Sequence, residues 1–417
     1  MNALRLASFA LLAMLATAAC SGEVSQVSSS TSSATGTGGG GGAGGAATGG
    51  AATGGAGGAL PSACPEILPA PQGCGEFADW CGNATPLAAG GDLTVVSGAV
   101  LTTSHVWFVA GYSDLGPCKG FFYRVPKDGG DAQQMFATDD ISDIEADGDT
   151  LYLVERTDDY DTRSISVIVG DQRQKLGEIH NDPSFNTYFD VALALTPGGI
   201  VTYDPMGPKK ASFFHVTLAG LTPIPADMPD AYLGSVPAYD GKDLFLSISD
   251  SPFVSTDGAL WHMTLARISA SAPVSLSTNA EERVRPTVAI DADSVFFATG
   301  DPSNVDAGMG ISRVAKTGGA ATPLFPPGTV WIDQVLLDDT DVYFRGWDHE
   351  PAVAGIWAVP KAGGPLRHVW TGRDLPTSSL WMDAQNLYFS VDGRKNAGEI
   401  TGPGGFVVRV AKSTSLP

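Results

Sequence analysis

Three groups of residues in this 417-residue chain have the types and spacing to do chemistry. Asp143, Glu145 and Asp147, followed by Gly148, open like a calcium loop, with alternating carboxylates ahead of a turn-permitting glycine. The closing glutamate, Glu155, falls one place late, and the segment runs straight into the apolar stretch Leu151 to Val154, so Asp-Gly-Asp reads better as a hairpin corner. Asp348, His349 and Glu350 offer a second set of ligands, but neighbours in sequence point in different directions and one histidine makes no centre, so no metal is assigned. The cysteines form the third group: Cys20, Cys64, Cys74, Cys81 and Cys118. They contain no C-x-x-C pair, which sets zinc aside. Apart from Cys20, which stands near the N-terminus in a stretch of small residues, the other four suit two disulfides in an exported chain. Of the three pairings, Cys64 with Cys74 and Cys81 with Cys118 is preferred. No nucleophile elbow, H-E-x-x-H or Walker loop occurs, so no catalytic residue is assigned. No cofactor is expected, calcium being the one candidate.

A further set carries binding chemistry. Arg156, Asp158, Asp159 and Tyr160 in one stretch, and Arg345, Trp347, Asp348 and His349 in another, combine an aromatic plate with charges of both signs, a mixture suited to a peptide or a sugar. Both stretches follow apolar strands, so the strands decide where they stand.

Those strands repeat. HVWFVA, TLYLVE, GIVTYD, DLFLSI, SVFFAT, DVYFRG and NLYFSV have centres at Trp107, Tyr152, Val201, Phe245, Phe296, Tyr343 and Tyr388, spaced by 45, 49, 44, 51, 47 and 45 residues. That period is the length of a four-stranded propeller blade. Asp-led turns precede five of the segments (DGDT, DGKD, DADS, DDTD and DAQN), and FYRVPKDGGD, ISRVAKTGGA and IWAVPKAGGP run into Gly-Gly turns. Runs such as Val295-Phe296-Phe297 are apolar at consecutive positions, as expected of a strand covered on both faces by stacked blades. The expectation is an all-β, seven-bladed propeller of four-stranded antiparallel blades, with six blades the alternative. Antiparallel order puts the long loops between the second and third strands on one face, the expected binding face.

The tetrapeptide R-V-A-K occurs at Arg313 to Lys316, followed by a further strand containing Ala321-Thr322-Pro323-Leu324, and again at Arg409 to Lys412, where the chain ends five residues later. Ala84-Thr85-Pro86-Leu87 near the other end carries the same four letters. The expectation is that this N-terminal segment supplies the missing strand of the last blade and closes the ring, removing an open seam. Residues 83–417 divided by seven give about 48 per blade, the propeller period.

The first residues form a leader. Arg5, the apolar stretch Leu6 to Ala16, and small residues before Cys20 read as a signal peptide over 1–19, and the segment resembles a bacterial lipobox with Cys20 as the lipidated residue. With Ser at position 21, that resemblance implies the outer membrane or cell surface; without lipidation the chain would be secreted. Residues 20–61, rich in Gly, Ser, Ala and Thr, make a disordered tether of roughly 35 Å r.m.s. span. Residues 62–82 form a disulfide-bearing segment ahead of the propeller at 83–417. Formal net charge is -21, which excludes nucleic acid as a partner and suits a basic surface or cations. Any membrane contact is expected through the lipid alone.

The unit D-x-x-x-V-Y-F followed by R-V-P-K-A-G-G resembles β-propeller lipoproteins with glycine-rich tethers, of the kind found in myxobacteria. More loosely it resembles YWTD-type and TolB-like propellers. The resemblance implies fold and carries no functional residue over. The functional expectation is an extracytoplasmic binding or scaffold module for protein, peptide or glycan on the long-loop face, and the alternative is a propeller enzyme such as a calcium-dependent, lactonase-like hydrolase.

Overall fold

The computed structural model describes residues 67–68, 73–75, 78–91, 94–112, 120–138, 140–156, 162–180, 192–204, 212–226, 232–233, 236–249, 263–269, 274–276, 283–300, 308–326, 328, 330–348, 353–373, 376, 378–391 and 404–416. They form seven antiparallel sheets of four main strands, here blades 1 to 7, with strands A to D running outward in each. Blade 1 is Thr94–Leu101, His105–Tyr112, Gly120–Pro126 and Gln133–Thr138; blade 2 is Asp140–Asp147, Thr150–Arg156, Thr162–Val169 and Gln172–His180. Blade 3 is Leu193–Thr196, Gly199–Asp204, Ser212–Thr217 and Gly220–Ile224. In blade 4 strand A is split into Tyr232–Leu233 and Ala238–Tyr239, both paired with Leu244–Ser249, then Met263–Ile268 and Val274–Ser275. Blade 5 is Arg283–Ile290, Ser294–Gly300, Met309–Ala315 and Thr322–Phe325, and blade 6 is Val330–Leu337, Asp341–Asp348, Val353–Pro360 and Arg367–Gly372. Seven blades are present, and the six-bladed alternative is set aside.

Blade 7 is built from both ends of the chain. Trp381–Met382, Asn386–Val391 and Phe406–Ala411 come from the C-terminal end, Thr85–Gly90 pairs with the last of them, and Ile67–Leu68 adds a short fifth strand outside. The register places Thr85 opposite Arg409 and Pro86 opposite Val408, as the A-T-P-L match predicted.

Consecutive apolar residues in the B strands serve two different interfaces. Val295 and Phe297 pack toward blade 4, whereas Phe296 packs toward blade 6. The buried side chains fall into seven clusters, each spanning one junction between consecutive blades, including the junction of blades 7 and 1. All seven strand-B centres, from Trp107 to Tyr388, are buried and face the following blade. The Gly-Gly turns take the expected left-handed backbone, with φ of +87° and +137° at Gly318 and Gly319.

A helical turn, Ala78–Cys81, leads into the closing strand. The Trp370 indole N–H donates to Cys81 O at 2.7 Å, Asn83 Nδ2 donates to Val369 O at 2.9 Å, and Arg373 N donates to Asp79 O at 2.9 Å. The segment thus docks on strand D of blade 6. The other chain end meets the same strand, where Leu416 N donates to His368 O at 2.8 Å. Cys74 is joined to Cys81, which corrects the preferred pairings of Cys74 with Cys64 and Cys81 with Cys118. The reason is local: Gly75, at φ +53°, and the helical turn double the chain back and bring the two Cα atoms to 6.3 Å. Cys20, Cys64 and Cys118 lie outside the described residues.

Candidate functional site

The charged text of the repeat works at the junctions between blades. Asp291, heading the A–B turn of blade 5, accepts from Asp293 N at 3.1 Å and Ser294 N at 2.9 Å through one oxygen. Its other oxygen takes Lys361 Nζ of blade 6 at 3.0 Å. Asp240 does the same with Lys316 at 3.0 Å, Asp338 with Lys412, and Asp383 with Lys127 at 3.6 Å. Each lysine also sits over the strand-B ring of the preceding blade. Lys316 lies 5.1 Å from the Phe245 centroid, Lys361 5.4 Å from Phe296, Lys412 5.1 Å from Tyr343 and Lys127 5.9 Å from Tyr388. An arginine completes the set by donating to the next lysine's carbonyl: Arg267 to Lys316 O at 3.1 Å, Arg313 to Lys361 O at 2.9 Å and Arg409 to Lys127 O at 2.6 Å. Blade 6 has Ala358 where the motif has arginine, and its cross-strand partner Arg367 supplies the guanidinium to Lys412 O. Four successive junctions, from blade 4 round to blade 1, are latched in this way.

The latch sets the ionisation of its carboxylates. Burial pushes Asp240, Asp291, Asp338 and Asp383 upward, but the turn N–H groups and the lysine together outweigh it and hold each below the ordinary aspartate value.

A cavity of about 680 Å³ is lined by residues from the inner strand of every blade, and so follows the axis of the ring. Most of its wall is small or apolar, but four carboxyl groups stand on it: the latch carboxylate Asp383 at the blade 7 turn and, on inner strands, Asp143 and Glu145 in blade 2 and Asp333 in blade 6. The strands carrying them are irregular. Strand A slips register between Ile141 and Asp143 in blade 2 and between Ile332 and Gln334 in blade 6, bulges that re-aim side chains. Asp143 accepts from Ile144 N at 2.9 Å and reaches the next blade, accepting from Leu193 N at 2.7 Å. Gln334 makes the matching contact in blade 6, accepting from Leu380 N of blade 7 at 2.7 Å. Asp333 accepts from Arg345 Nε at 2.7 Å, and burial raises its pKa despite that guanidinium.

Glu145 differs from both. Its carboxyl is enclosed, and Oε2 has no hydrogen-bond partner. Burial, then the neighbouring Asp143 charge, drive its pKa well above the usual value against the Ala146 N–H. Among the described residues no three His, Cys, Asp or Glu side chains converge as a metal cage would require. The stretch from Asp143 to Asp147 is a strand running into a hairpin, and Glu155 on the next strand turns to Arg173.

Of the loop residues singled out from sequence, Arg156, Arg345, Trp347 and the backbone of Asp348 are described. Arg345 belongs to strand B of blade 6, lines the axial cavity and donates to Pro376 O at 3.2 Å and to Ser378 O, so it is spent on blade 7 and is not a loop residue. Trp347 also lies in that strand and packs against the cluster between blades 6 and 7. Asp348 ends the strand, and Arg156 ends strand B of blade 2, exposed. Asp158, Asp159, Tyr160, His349 and Glu350 lie outside the described residues, as does the side chain of Asp348. Asp333 was missed as a site residue, and Glu145 was weighed only as part of a calcium loop and set aside with it. The available signal was an acid set directly beside apolar residues on an inner strand, I-E-A and W-I-D.

No protein-family model matches the chain, and no curated protein matches it in sequence. Among solved structures it is similar to the β-propeller domain of the Trilobed protease from Pyrococcus furiosus, with a TM-score of 0.54 at 8% identity over 78% of this chain and 99% of that one. That propeller is described as having an open velcro topology; here the seam is closed by paired strands. The chain is also similar to a prolyl endopeptidase, with a TM-score of 0.50 at 14% identity over 77% of this chain, and spans about half of that enzyme, 51% of its length. A putative TolB from Agrobacterium tumefaciens gives a TM-score of 0.35 at 14% identity, over 56% of this chain and 81% of that one. At these identities the likeness speaks to fold alone.

Proposed function

We propose that this chain is a binding module whose ligand, a segment of peptide, protein or glycan, enters the axial cavity. The observation that carries this reading is the cavity itself. At about 680 Å³, with mostly apolar walls drawn from all seven blades and a few polar groups among them, it has the size and lining of a small-ligand site. The peptidase-associated propellers it resembles in fold make a peptide a natural first candidate.

The test is to probe peptide and glycan arrays with the full chain and with Ala289→Phe, which fills the cavity from blade 5. Saturable binders lost in the filled variant support the reading. An identical binding set in both proteins, or none in either, defeats it. A calcium titration separates the hydrolase alternative: a rise in melting temperature with calcium that Glu145→Gln abolishes would favour the enzyme.

We also infer an exported, lipid-anchored chain. No helix among the described residues is long and apolar enough to cross a membrane. The Cys74–Cys81 disulfide suits an oxidising compartment, and the leader ending at Cys20 suits acylation there. Palmitate labelling that survives Cys20→Ala would count against this.

A further inference from the structure

One level of the axial cavity can be followed blade by blade, because each strand-B centre has a directly opposed residue on strand A. These partners are Val100, Glu145, Ala194, Ala238, Ala289, Leu336 and Trp381. All but Val100 line the cavity. Six are apolar or aromatic, three of them alanine, and the seventh is an acid. An acid at this level is costly to bury unless something answers it. Nothing in the neighbouring inner strands does, since neither Thr94–Leu101 nor Leu193–Thr196 carries a charged residue. The other charges on the cavity wall are engaged elsewhere: Lys127 with Asp383, Arg345 with Asp333, and Asp143 with Leu193 N. Glu145 Oε2 is shut off from solvent without a partner, and so is Trp381 Nε1 on the same belt.

We propose that this belt seats a basic side chain of a peptide partner: an ammonium or guanidinium group pairs with Glu145, and its methylene stem lies against Ala194, Ala238, Leu336 and Trp381. This deepens the binding reading above and rests on it. The wall suits such a group, because a lysine or arginine joins an apolar stem to a charged head. The chain's net charge of -21 draws basic segments toward it. An enclosed carboxylate paired with a cation forms a stronger contact than one in water. The raised pKa of Glu145 adds a signature. Its carboxyl keeps its proton to higher pH than a surface glutamate, and an arriving ammonium group favours the carboxylate, so any proton still held there passes to solvent as the carboxylate–ammonium pair forms.

The experiment is calorimetry on the full chain at pH 7 with Nα-acetyl-lysine methyl ester and its uncharged counterpart, Nα-acetyl-norleucine methyl ester, each in phosphate and in Tris. The lysine ester is expected to bind at least tenfold more tightly, with an enthalpy that differs between the buffers and so reports proton release. Glu145→Gln should lose both the preference and the buffer dependence. Glu145→Asp, which keeps the charge, should retain a reduced preference and guards against a folding artefact in the glutamine variant. Equal affinity for the two esters, no binding of either, or a preference that survives Glu145→Gln overturns the proposal. Equal affinities that both vanish in Ala289→Phe would overturn the cation seat while leaving the cavity as a binding site.

Discussion

The ring has two arcs held by different means. From blade 4 round through blade 7 to blade 1, every junction repeats the same aspartate, lysine, aromatic ring and arginine. From blade 1 to blade 4 the junctions are individual. Arg124 stacks on Trp107 at 5.4 Å within its own blade and forks onto Gln133; Thr103 N donates to Asp149 at 2.9 Å; Gly198 N donates to Tyr239 O at 2.9 Å. Apolar packing is continuous through both arcs, so it makes the ring, whereas the polar latch fixes register between chosen blades. The latched arc contains the chain ends, where the ring is joined without a covalent link. The plain arc contains Glu145.

The largest test of this contrast is at the seam. Deleting residues 1–90 removes Thr85–Gly90 and leaves Phe406–Ala411 as an open edge; cooperative unfolding by circular dichroism should be lost. Next, Asp291→Ala removes two turn bonds and the Lys361 partner and should cost about 1 to 2 kcal/mol in denaturant titrations. Asp149→Ala in the plain arc, with a single exposed contact, should stay within about 0.5 kcal/mol. Equal losses would mean that the latch adds nothing to packing.

Gly82 sharpens the seam further. It has φ +56°, and a Cβ there would fall 1.7 Å from Thr371 O. Gly82→Ala should cost about 1 kcal/mol or more and speed hydrogen exchange at the Trp370 indole. Gly148→Ala, at φ +60° with open space around it, should show the conformational part alone.

The smallest effect has the most distinctive sign. Carboxyls of the latch have lowered pKa values, so their contribution is present above the ordinary aspartate pKa and is lost as pH falls through the folded value. Glu145 is raised, so its ionisation costs stability once pH passes the ordinary glutamate pKa. Glu145→Gln should therefore raise the melting temperature at pH 7 and do nothing below about pH 4, whereas Asp291→Asn should lower it at pH 7 and converge on wild type in acid.

The ring and its closure were legible in the sequence because both depend on local text. Aromatic centres at a fixed spacing, Asp-led turns and the duplicated A-T-P-L can each be read without knowing their neighbours. The R-V-x-K motif was visible as a strand running into a turn, but its partner Asp lies about a blade and a half away in the chain, 70 residues between Asp291 and Lys361. Arg345 and Trp347 read as loop residues because glycine and charge follow the aromatic pair, yet cross-strand partners Ile356 and Ala354 extend the strand through them. The disulfide was misread because a four-residue helical turn has no periodicity to announce it. Asp333 escaped, and Glu145 was read only as part of a hairpin corner, because a bulge interrupts the inner strand that carries each, and an acid there becomes informative only when seven strands are superposed on one axis.

Strand D of blade 6 is gripped by both chain ends, with Asp79 to Asn83 bonded to Val369, Trp370 and Arg373, and Leu416 bonded to His368. Mechanically, this is a buckle. Tension applied ahead of Ile67 meets first the short pairing of Ile67–Leu68 with Ala89 and Gly90, then the cystine loop and the Trp370 clasp, before the pairing of Thr85–Gly90 with Phe406–Ala411 carries the whole load. Blade 6 therefore shares a load that would otherwise fall on blade 7 alone.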